Sequence, residues 1–254
     1  MKTVIVTGAA RGIGLATVKK FLALDQCVTM VDWDEVELKH AASSLKNTLI
    51  LPLDISQHDQ ANQIVADTLA KFGRVDALIN NAGIADFCSI EKTDFATWRK
   101  IMSINLDGTF LVSQAAIPAL KKTNGSIVNV ASISGIRAST LRVAYGTSKA
   151  GVIQLTLQQA VELGEYGIRA NCICPGPIRT KLSSAVHTQE IIDAYHDAIP
   201  LGRYGTEDEI ANIITFLCSE NARYVTGQVL SADGGFEAAG VGLPALRKSK
   251  SKHI

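Results

Sequence analysis

Seven short apolar runs alternate with longer segments whose apolar residues recur at helical spacing, and this alternation constrains the fold most strongly. Runs that are apolar at nearly every position are typical of strands buried on both faces of a parallel sheet, which helices must then cover. We predict strands at residues 2–8, 27–32, 48–54, 76–83, 125–132, 168–176 and 227–235. We predict helices at residues 12–24, 34–46, 56–72, 94–121, 144–165 and 206–219. The predicted fold class is therefore α/β, with a doubly wound, Rossmann-type parallel sheet of about seven strands and helices on both faces.

The composition is sufficient for one domain of this kind. The chain has 254 residues, of which 47% are hydrophobic and 19% charged, so it can bury a sizeable core. No repeat or change of composition precedes the basic end RKSKSKHI, so residues 1–246 are predicted to form a single domain. Residues 247–254 are predicted to be a basic, disordered tail.

Charge and hydropathy exclude several classes of partner. The formal net charge is +1, which gives no reason to expect a nucleic acid partner. No apolar run approaches the roughly 18 residues of a membrane span, and no signal peptide precedes the first strand. The five cysteines are scattered, and Cys172 and Cys174 have the wrong spacing for a zinc site. We expect a cytoplasmic protein with reduced thiols, no metal, and no nucleic acid or membrane partner.

A glycine-rich stretch, TGAARGIG at residues 7–14, joins the first strand to the first helix. Gly8, Gly12 and Gly14 allow a tight turn and close backbone approach, and the helix start offers free N–H groups to a pyrophosphate. The G-x-x-x-G-x-G spacing differs from the usual dinucleotide fingerprint and from the phosphate loop. The position between a strand and a helix nevertheless favours a dinucleotide site over a plain turn.

Asp32 ends the second predicted strand and bears on the choice of dinucleotide. A carboxylate there accepts hydrogen bonds from the adenosine ribose hydroxyls and repels a 2′-phosphate, which favours NAD over NADP. Arg11 in the glycine loop argues the other way, because a cation there favours a 2′-phosphate. Asp34 fits the N-cap of the next helix better than Asp32 does. We predict NAD as the cofactor.

Tyr145 and Lys149 are four residues apart in the stretch AYGTSKAG, at the start of a predicted helix. Their side chains would therefore lie on one face of that helix. A cation near a phenol favours the phenolate, which lets the hydroxyl give and take a proton near neutral pH. In an arbitrary sequence such a pair is usually a surface contact, so the other motifs decide its meaning.

The chain resembles the short-chain dehydrogenase/reductase family over nearly its whole length. The motifs that carry the resemblance are TGAARGIG, Asp54 in LPLDIS, NNAG at residues 80–83, Asn105 in SINLDG, Ser132 in VNVASISG, YGTSK, and PGPIRT at residues 175–180. The resemblance implies hydride transfer between a nicotinamide cofactor and an alcohol or ketone of a small-molecule substrate. It also implies a homo-oligomer, a tetramer or a dimer, built on the helices at residues 94–121 and 144–165.

The resemblance implies a role for each residue that matches a family motif. Tyr145 would exchange a proton with the substrate oxygen, and Lys149 would support Tyr145 and bind the nicotinamide ribose. Ser132 would donate a hydrogen bond to the same oxygen, and Asn105 would hold a water in a proton relay. The implied cofactor-binding residues are Gly8, Arg11, Gly12, Ile13, Gly14, Asp32, Asp54, Ile55, Asn81, Ala82, Gly83, Tyr145, Lys149, Pro175, Gly176, Ile178 and Thr180.

The sequence says less about the substrate. Residues 181–205 are predicted to form a mobile lid, and residues 133–144 to line the pocket. The candidate substrate contacts are Ser134, Thr140 and Arg142. Arg142 can meet a carboxylate or phosphate by a bidentate contact, which favours an anionic or polyhydroxylated substrate. The alternative is an arginine that faces solvent or another subunit.

Two other functions stay open. A 3-oxoacyl-[acyl-carrier-protein] reductase belongs to the same family and usually uses NADPH. Asp32 argues against it, as does Tyr166 beside Glu165, where such reductases often carry a basic residue. A dinucleotide-binding regulator without turnover is the second alternative, since fold does not imply function. The presence of the complete active-site set argues against that one.

Overall fold

A computed structural model describes residues 1–180 and 187–240, and within them seven parallel strands form one sheet in the order β3-β2-β1-β4-β5-β6-β7. The strands are β1 Thr3–Thr7, β2 Cys27–Val31, β3 Thr48–Leu51, β4 Ala77–Asn80, β5 Ser126–Val130, β6 Arg169–Pro175 and β7 Val229–Ala232. The α-helices of the described residues are α1 Gly12–Ala23, α2 Glu35–Ala42, α3 His58–Phe72, α4 Phe95–Met102, α5 Gly108–Lys121, α6 Val143–Leu163, α7 Gln189–Ala198 and α8 Glu207–Cys218. The predicted fold class is confirmed.

Three sequence predictions fall on residues that the structure does not describe. The basic tail at 247–254, the domain boundary at 246 and the first six residues of the predicted lid, 181–186, lie outside the described residues. Within the described part, no helix is both long enough and apolar enough to span a membrane.

The apolar side chains of a single strand pack into the cores on both faces of the sheet. All five residues of β1 are buried. Val6 belongs to a core with Phe21 of α1 and Ile214 of α8, whereas its neighbour Ile5 belongs to the opposite core with Ile64 of α3 and Val112 of α5. Because side chains alternate along a strand, a run that is apolar at every position serves two cores.

The strand order places a crevice between β1 and β4. The chain runs outward from β1 through β2 to β3, then returns to β4 on the other side of β1. All these strands are parallel, so their carboxyl ends lie at one edge of the sheet. In sheets of this kind, ligands bind at the carboxyl edge where the strand order reverses.

The long helix predicted at residues 94–121 is interrupted. A π-helical turn, Ser103–Asp107, separates α4 from α5, and Asn105 lies within it. A π-turn inserts an extra residue into a helix and is frequent at functional sites. Sequence periodicity does not show it, because the flanking residues keep helical spacing.

Part of the predicted lid is a regular helix. Residues Gln189–Ala198 form α7, and the Thr188 hydroxyl accepts a hydrogen bond from the Ile191 N–H at 3.4 Å. A threonine before an amphipathic stretch is an N-cap signal. Thr188 is thus a local sequence signal for a helix within the predicted lid.

A buried polar network ties the sheet to α6. Asn129 of β5 accepts a hydrogen bond from Asn80 Nδ2 of β4 at 2.8 Å. The Asn129 amide donates to Thr156 Oγ1 and Gln159 Oε1 of α6, each at 2.8 Å. All these residues are buried, and the Asn129 side chain makes all three of these bonds, so the network favours one arrangement of the elements that it joins. The helix that carries Tyr145 is thus fixed against the sheet.

Candidate active site

The glycine loop after β1 adopts a conformation that depends on its glycines. Gly8 and Gly12 have φ values of 65° and 60°, in the left-handed region that glycine tolerates best. A Cβ on Gly14 would lie 2.0 Å from the Gly8 carbonyl oxygen, so the loop and the first turn of α1 are in close contact. Ile13 is half-buried and packs against the core that contains Val6 and Ile214.

The start of α1 fits an anionic group. Its N-cap residue, Arg11, makes no side-chain hydrogen bond to the first turn. By contrast, the side chains of Asp34 and Asp94 cap α2 and α4. The first N–H groups of a helix need acceptors, and a phosphate can supply them. The loop and the helix start together form a cradle that suits the pyrophosphate of a dinucleotide.

Asp32 is held rigidly at the rim of this loop. Its Oδ2 accepts a hydrogen bond from the Ala10 N–H, and its Oδ1 accepts one from the Asp34 N–H, each at 3.1 Å. The Arg11 guanidinium forms an ion pair with Asp34, which offsets its charge. The Glu37 N–H and the Arg11 guanidinium hold the pKa of the Asp34 carboxyl below its usual value. Asp34 caps α2, as predicted.

Thr7 and Asn81 join the ends of β1 and β4. Thr7 Oγ1 accepts hydrogen bonds from the N–H groups of Asn81 and Ala82, at 3.0 and 3.1 Å. The Asn81 amide donates to the carbonyl oxygens of Thr7 and Gly8, at 3.0 and 3.1 Å. These bonds seat the NNAG segment directly beside the glycine loop.

Lys149 lies one turn after Tyr145 on α6 and is almost completely buried. Its side chain contacts the end of β5, where Nζ donates to the Val130 carbonyl at 2.8 Å. Nζ lies 5.8 Å from the centroid of the Tyr145 ring. An ammonium has three N–H donors. Among the described residues only Val130 accepts from it, so two donors remain for other groups.

Ser132 follows β5 and faces the same helix. Its Oγ accepts a hydrogen bond from the Ser134 N–H at 3.1 Å, so the hydroxyl proton remains to be donated elsewhere. The turn after Ser132 packs tightly on α6, since a Cβ on Gly135 would lie 2.7 Å from the Lys149 carbonyl carbon.

Asn105 connects the segment after β4 to α6. Its Oδ1 accepts from the Ile84 N–H at 2.8 Å, and its Nδ2 donates to the Ile84 carbonyl at 2.9 Å and to Ser148 Oγ at 3.0 Å. A Cβ on Gly83 would lie 3.1 Å from Asn105 Oδ1 and 3.2 Å from Lys149 Nζ. Both atoms therefore border Gly83. One lone pair of Oδ1 remains for the predicted water, and that role stays a prediction.

The other predicted cofactor residues follow the carboxyl ends of their strands. After β3, Asp54 Oδ1 accepts from the Ser56 N–H at 2.9 Å, and the next residue, Ile55, is buried. Pro175 ends β6, and the Gly176 N–H donates to the Ala232 carbonyl at 3.1 Å. Farther along, Ile178 bridges to Gly205, and Thr180 is the last described residue before the gap.

The three predicted substrate contacts are not alike. Arg142 lies at the start of α6, with its Cζ 5.3 Å from the centroid of the Tyr145 ring. Ser134 Oγ is paired with Ser139 Oγ at 3.1 Å, and Thr140 is exposed. Of these three side chains, only that of Arg142 lies against the ring of Tyr145, whereas Ser134 contacts Ser132 through its backbone N–H.

Comparison with known proteins agrees with this geometry. A family model described as enoyl-(acyl carrier protein) reductase matches residues 8–237, a range that holds the glycine loop, the strand ends and α6. The chain belongs to the short-chain dehydrogenase/reductase family.

Individual family members are similar over almost the whole chain. A meso-2,3-butanediol dehydrogenase of Serratia marcescens is 34% identical, covering 94% of this chain and 95% of its own. A 3-oxoacyl-[acyl-carrier-protein] reductase FabG of Thermotoga maritima is 37% identical, covering 92% and 97%. The crystal structure of gox2181 matches with a TM-score of 0.90 at 32% identity, covering 93% of this chain and 96% of its own.

Several contributors to the site of this short-chain dehydrogenase/reductase were not anticipated. Thr7 and Ser148 lie within the motifs TGAARGIG and YGTSK, so the motifs themselves indicate that both residues belong to the site. Phe87 and His187, which neighbour Arg142, have no such signal. They approach it only because distant segments of the chain meet at the edge of the sheet.

The contact between Gly14 and Gly8 yields a first prediction. In a Gly14→Ala variant the new Cβ meets a backbone oxygen that cannot move without shifting the loop. We expect a loss of about 1–3 kcal/mol in the free energy of unfolding, measured by urea denaturation. Dinucleotide binding should weaken by at least about tenfold in a fluorescence titration, because the same loop forms the cradle.

Gly164→Ala is the matched control. Gly164 follows α6 with an ordinary φ of −59°, and a Cβ there meets nothing within 4 Å. That variant should keep both stability and dinucleotide binding. Equal behaviour of the two variants would show that the close contact at Gly14 has no energetic role.

Proposed function

We propose that the protein acts in the cytoplasm and transfers a hydride between NAD and a secondary alcohol or ketone of a small-molecule substrate. The proposal is carried by the arrangement of Ser132, Tyr145 and Lys149 at the carboxyl end of β5. The Lys149 ammonium lies 5.8 Å from the Tyr145 ring, and Ser132 keeps its proton available for donation. Membership of an oxidoreductase family supports the same reaction.

In the proposed reaction each of these side chains has a separate role. The nicotinamide, when bound, accepts or supplies the hydride. Tyr145 takes the proton of the substrate hydroxyl during oxidation and returns it during reduction. Ser132 donates a hydrogen bond to the same oxygen and stabilises its negative charge. Lys149, anchored to the Val130 carbonyl, donates to a ribose hydroxyl and keeps a positive charge beside Tyr145.

The cofactor-binding residues are proposed in the roles that the motifs imply. The glycine loop would bind the pyrophosphate, and Asp32 would accept from the adenosine ribose. Asp54 and Ile55 would border the adenine. Ile178 and Thr180 would contact the carboxamide. The pairing of Arg11 with Asp34 supports NAD over NADP, because it leaves less positive charge for a 2′-phosphate.

The proton-transfer role of Tyr145 is tested by Tyr145→Phe, which removes only the hydroxyl. We expect kcat to fall by about 100-fold or more, in line with the usual contribution of general acid–base catalysis, while the Kd for NADH changes far less, since Tyr145 is one of many cofactor contacts. The substrate would come from a panel of secondary alcohols, polyols, sugar acids, hydroxy acids and hydroxyacyl thioesters. Tyr166→Phe is the control, since Tyr166 is 40% exposed after α6 and contacts Lys121. A Tyr145→Phe enzyme with near-normal kcat would refute the proposed role.

The role of Asp32 is tested by Asp32→Asn. The variant keeps the shape and one acceptor oxygen, at the cost of one of the two backbone N–H bonds to Asp32, and removes the charge that repels a 2′-phosphate. We expect wild-type protein to bind NADH at least about tenfold more tightly than NADPH, a difference of about 1.4 kcal/mol, and the variant to lose most of that preference. Fluorescence titration with both cofactors measures it.

Asp25→Asn is the control for the change in net charge. Asp25 precedes β2 at the opposite edge of the sheet, and its φ of 54° suits asparagine. This variant should keep the wild-type preference. Tighter binding of NADPH by the wild-type protein would contradict the assignment of NAD.

A 3-oxoacyl-[acyl-carrier-protein] reductase is the second candidate. The Thermotoga relative of that name favours it. So does the Lys121 ammonium, which lies 3.2 Å from the centroid of the Tyr166 ring and supplies a cation where an acidic carrier protein would dock. Turnover only with NADPH on a 3-oxoacyl thioester would establish this function in place of the first.

We also propose a homo-oligomer built on α5 and α6. Phe110 of α5 is 44% exposed and Val161 of α6 is 80% exposed, so both helices present apolar side chains outward. Val161→Glu should weaken self-association by at least about tenfold in sedimentation velocity experiments, because a carboxylate would be buried at the interface. Val36→Glu on α2, also at a position 80% exposed, should not. A monomeric wild-type protein would contradict the proposal.

A further inference from the structure

A guanidinium beside the catalytic tyrosine has no part in the proposed proton transfer. The Arg142 Cζ lies 3.9 Å from the centroid of the Phe87 ring and 5.3 Å from that of Tyr145. Among residues 1–180 and 187–240, no carboxylate forms an ion pair with Arg142, and its side chain donates no hydrogen bond to any of these residues. Stacking on an aromatic face leaves the N–H groups of an arginine available for a bidentate partner.

The backbone around Arg142 is strained in a way that positions this side chain. Leu141 has a φ of 60°, whereas the other non-glycine residues with positive φ in the described part are aspartate or asparagine, which tolerate it better. The Leu141 carbonyl accepts from the Cys88 N–H at 3.1 Å, and Cys88 pairs with Arg142 in an isolated bridge. Backbone strain maintained by neighbouring contacts is concentrated at functional sites. Here it brings Arg142 over the Phe87 ring.

In the part of the chain that the structure describes, the side chains beside Arg142 do not neutralise it. Phe87 and Tyr145 contribute aromatic rings. His187 Nδ1 lies 2.9 Å from Tyr204 Oη, and the imidazole stacks on Tyr195 with ring centroids 5.6 Å apart. Burial and the charge of Arg142 hold the pKa of His187 below its usual value, which favours a neutral imidazole. A half-buried cation among neutral groups attracts an anion.

We infer that Arg142 binds a carboxylate of the substrate, so that the preferred substrates are hydroxy acids and the corresponding oxo acids. The inference rests on the proposed function, which brings the substrate hydroxyl to Tyr145. In the oxidation, the carbinol carbon loses a hydride to the nicotinamide and its oxygen loses a proton to Tyr145, while the carboxylate is unchanged. The short separation between Arg142 and Tyr145 fits acids whose carboxylate is a few bonds from the reacting carbon.

The first test measures binding and needs no knowledge of the true substrate. Butanoate and benzoate are compared with butanamide and benzamide by calorimetry on the protein saturated with NAD. Wild-type protein should bind each carboxylate at least about tenfold more tightly than its amide. Arg142→Met should abolish that preference and leave the amide affinities within about twofold. Wild-type protein that does not prefer the carboxylates would overturn the inference.

Matched variants separate recognition from structure. Arg137→Met removes a cation five residues before Arg142 in the sequence, one that pairs with Glu237, and it should keep the carboxylate preference. Arg142→Lys should lose part of the preference, since it keeps the charge but not the bidentate geometry. If Arg142→Met does not fold, Phe87→Leu serves instead, because it removes the stacking ring and should weaken carboxylate binding severalfold. An unchanged preference in Phe87→Leu would then count against the inference.

Turnover distinguishes this inference from the proposed function. The kcat/KM for 3-hydroxybutanoate should exceed that for its methyl ester in wild-type protein, and Arg142→Met should reduce only the former. If Arg142→Met reduces kcat/KM equally for the acid and the ester, Arg142 has a structural role. That result would overturn the inference but leave the proposed hydride transfer intact. Absence of all hydride transfer would instead refute the proposed function. A phosphate ester, dihydroxyacetone phosphate, is assayed as well. A higher kcat/KM for this phosphate than for the carboxylates would overturn the carboxylate assignment.

Discussion

The hydrogen bonds between Thr7 and Asn81 hold together the two strand ends on which the rest of the site depends. They cross the crevice where the strand order reverses, between β1 and β4. Gly8 lies so close to this crossing that a Cβ on it would lie 2.8 Å from Ala82 Cα. The glycine loop and the NNAG segment therefore form one continuous surface, and a ligand at the loop also meets the residues that follow β4.

A second set of contacts fixes α6 relative to that surface. The Lys149 ammonium is bound to the end of β5, Ser148 is bound to Asn105, and Asn129 joins the sheet to the middle of the helix. These contacts come from three different parts of the chain. Because most of the groups are buried and satisfied, α6 has little freedom to rotate or slide. The positions of Tyr145 and Ser132 follow from this arrangement.

The parts of the fold that sequence predicted well are those with a local cause. The seven strands follow from runs of apolar residues, and the cap of α2 by Asp34 follows from an aspartate just before a helix. The π-turn at Asn105 and the helix after Thr188 were not predicted. The first leaves no mark on hydrophobic periodicity. The second has a local signal, its N-cap threonine, within the segment predicted to be a lid.

By itself, the sequence determined the class of the fold, the strand that each motif follows and the helix face shared by Tyr145 and Lys149. Those properties depend on hydrophobic period and on residues a few positions apart. Only the tertiary structure decided which side chains surround Arg142. Phe87 and His187 are 55 and 45 residues away from Arg142 in the chain. They lie near it because the loops that follow parallel strands meet at one edge of the sheet.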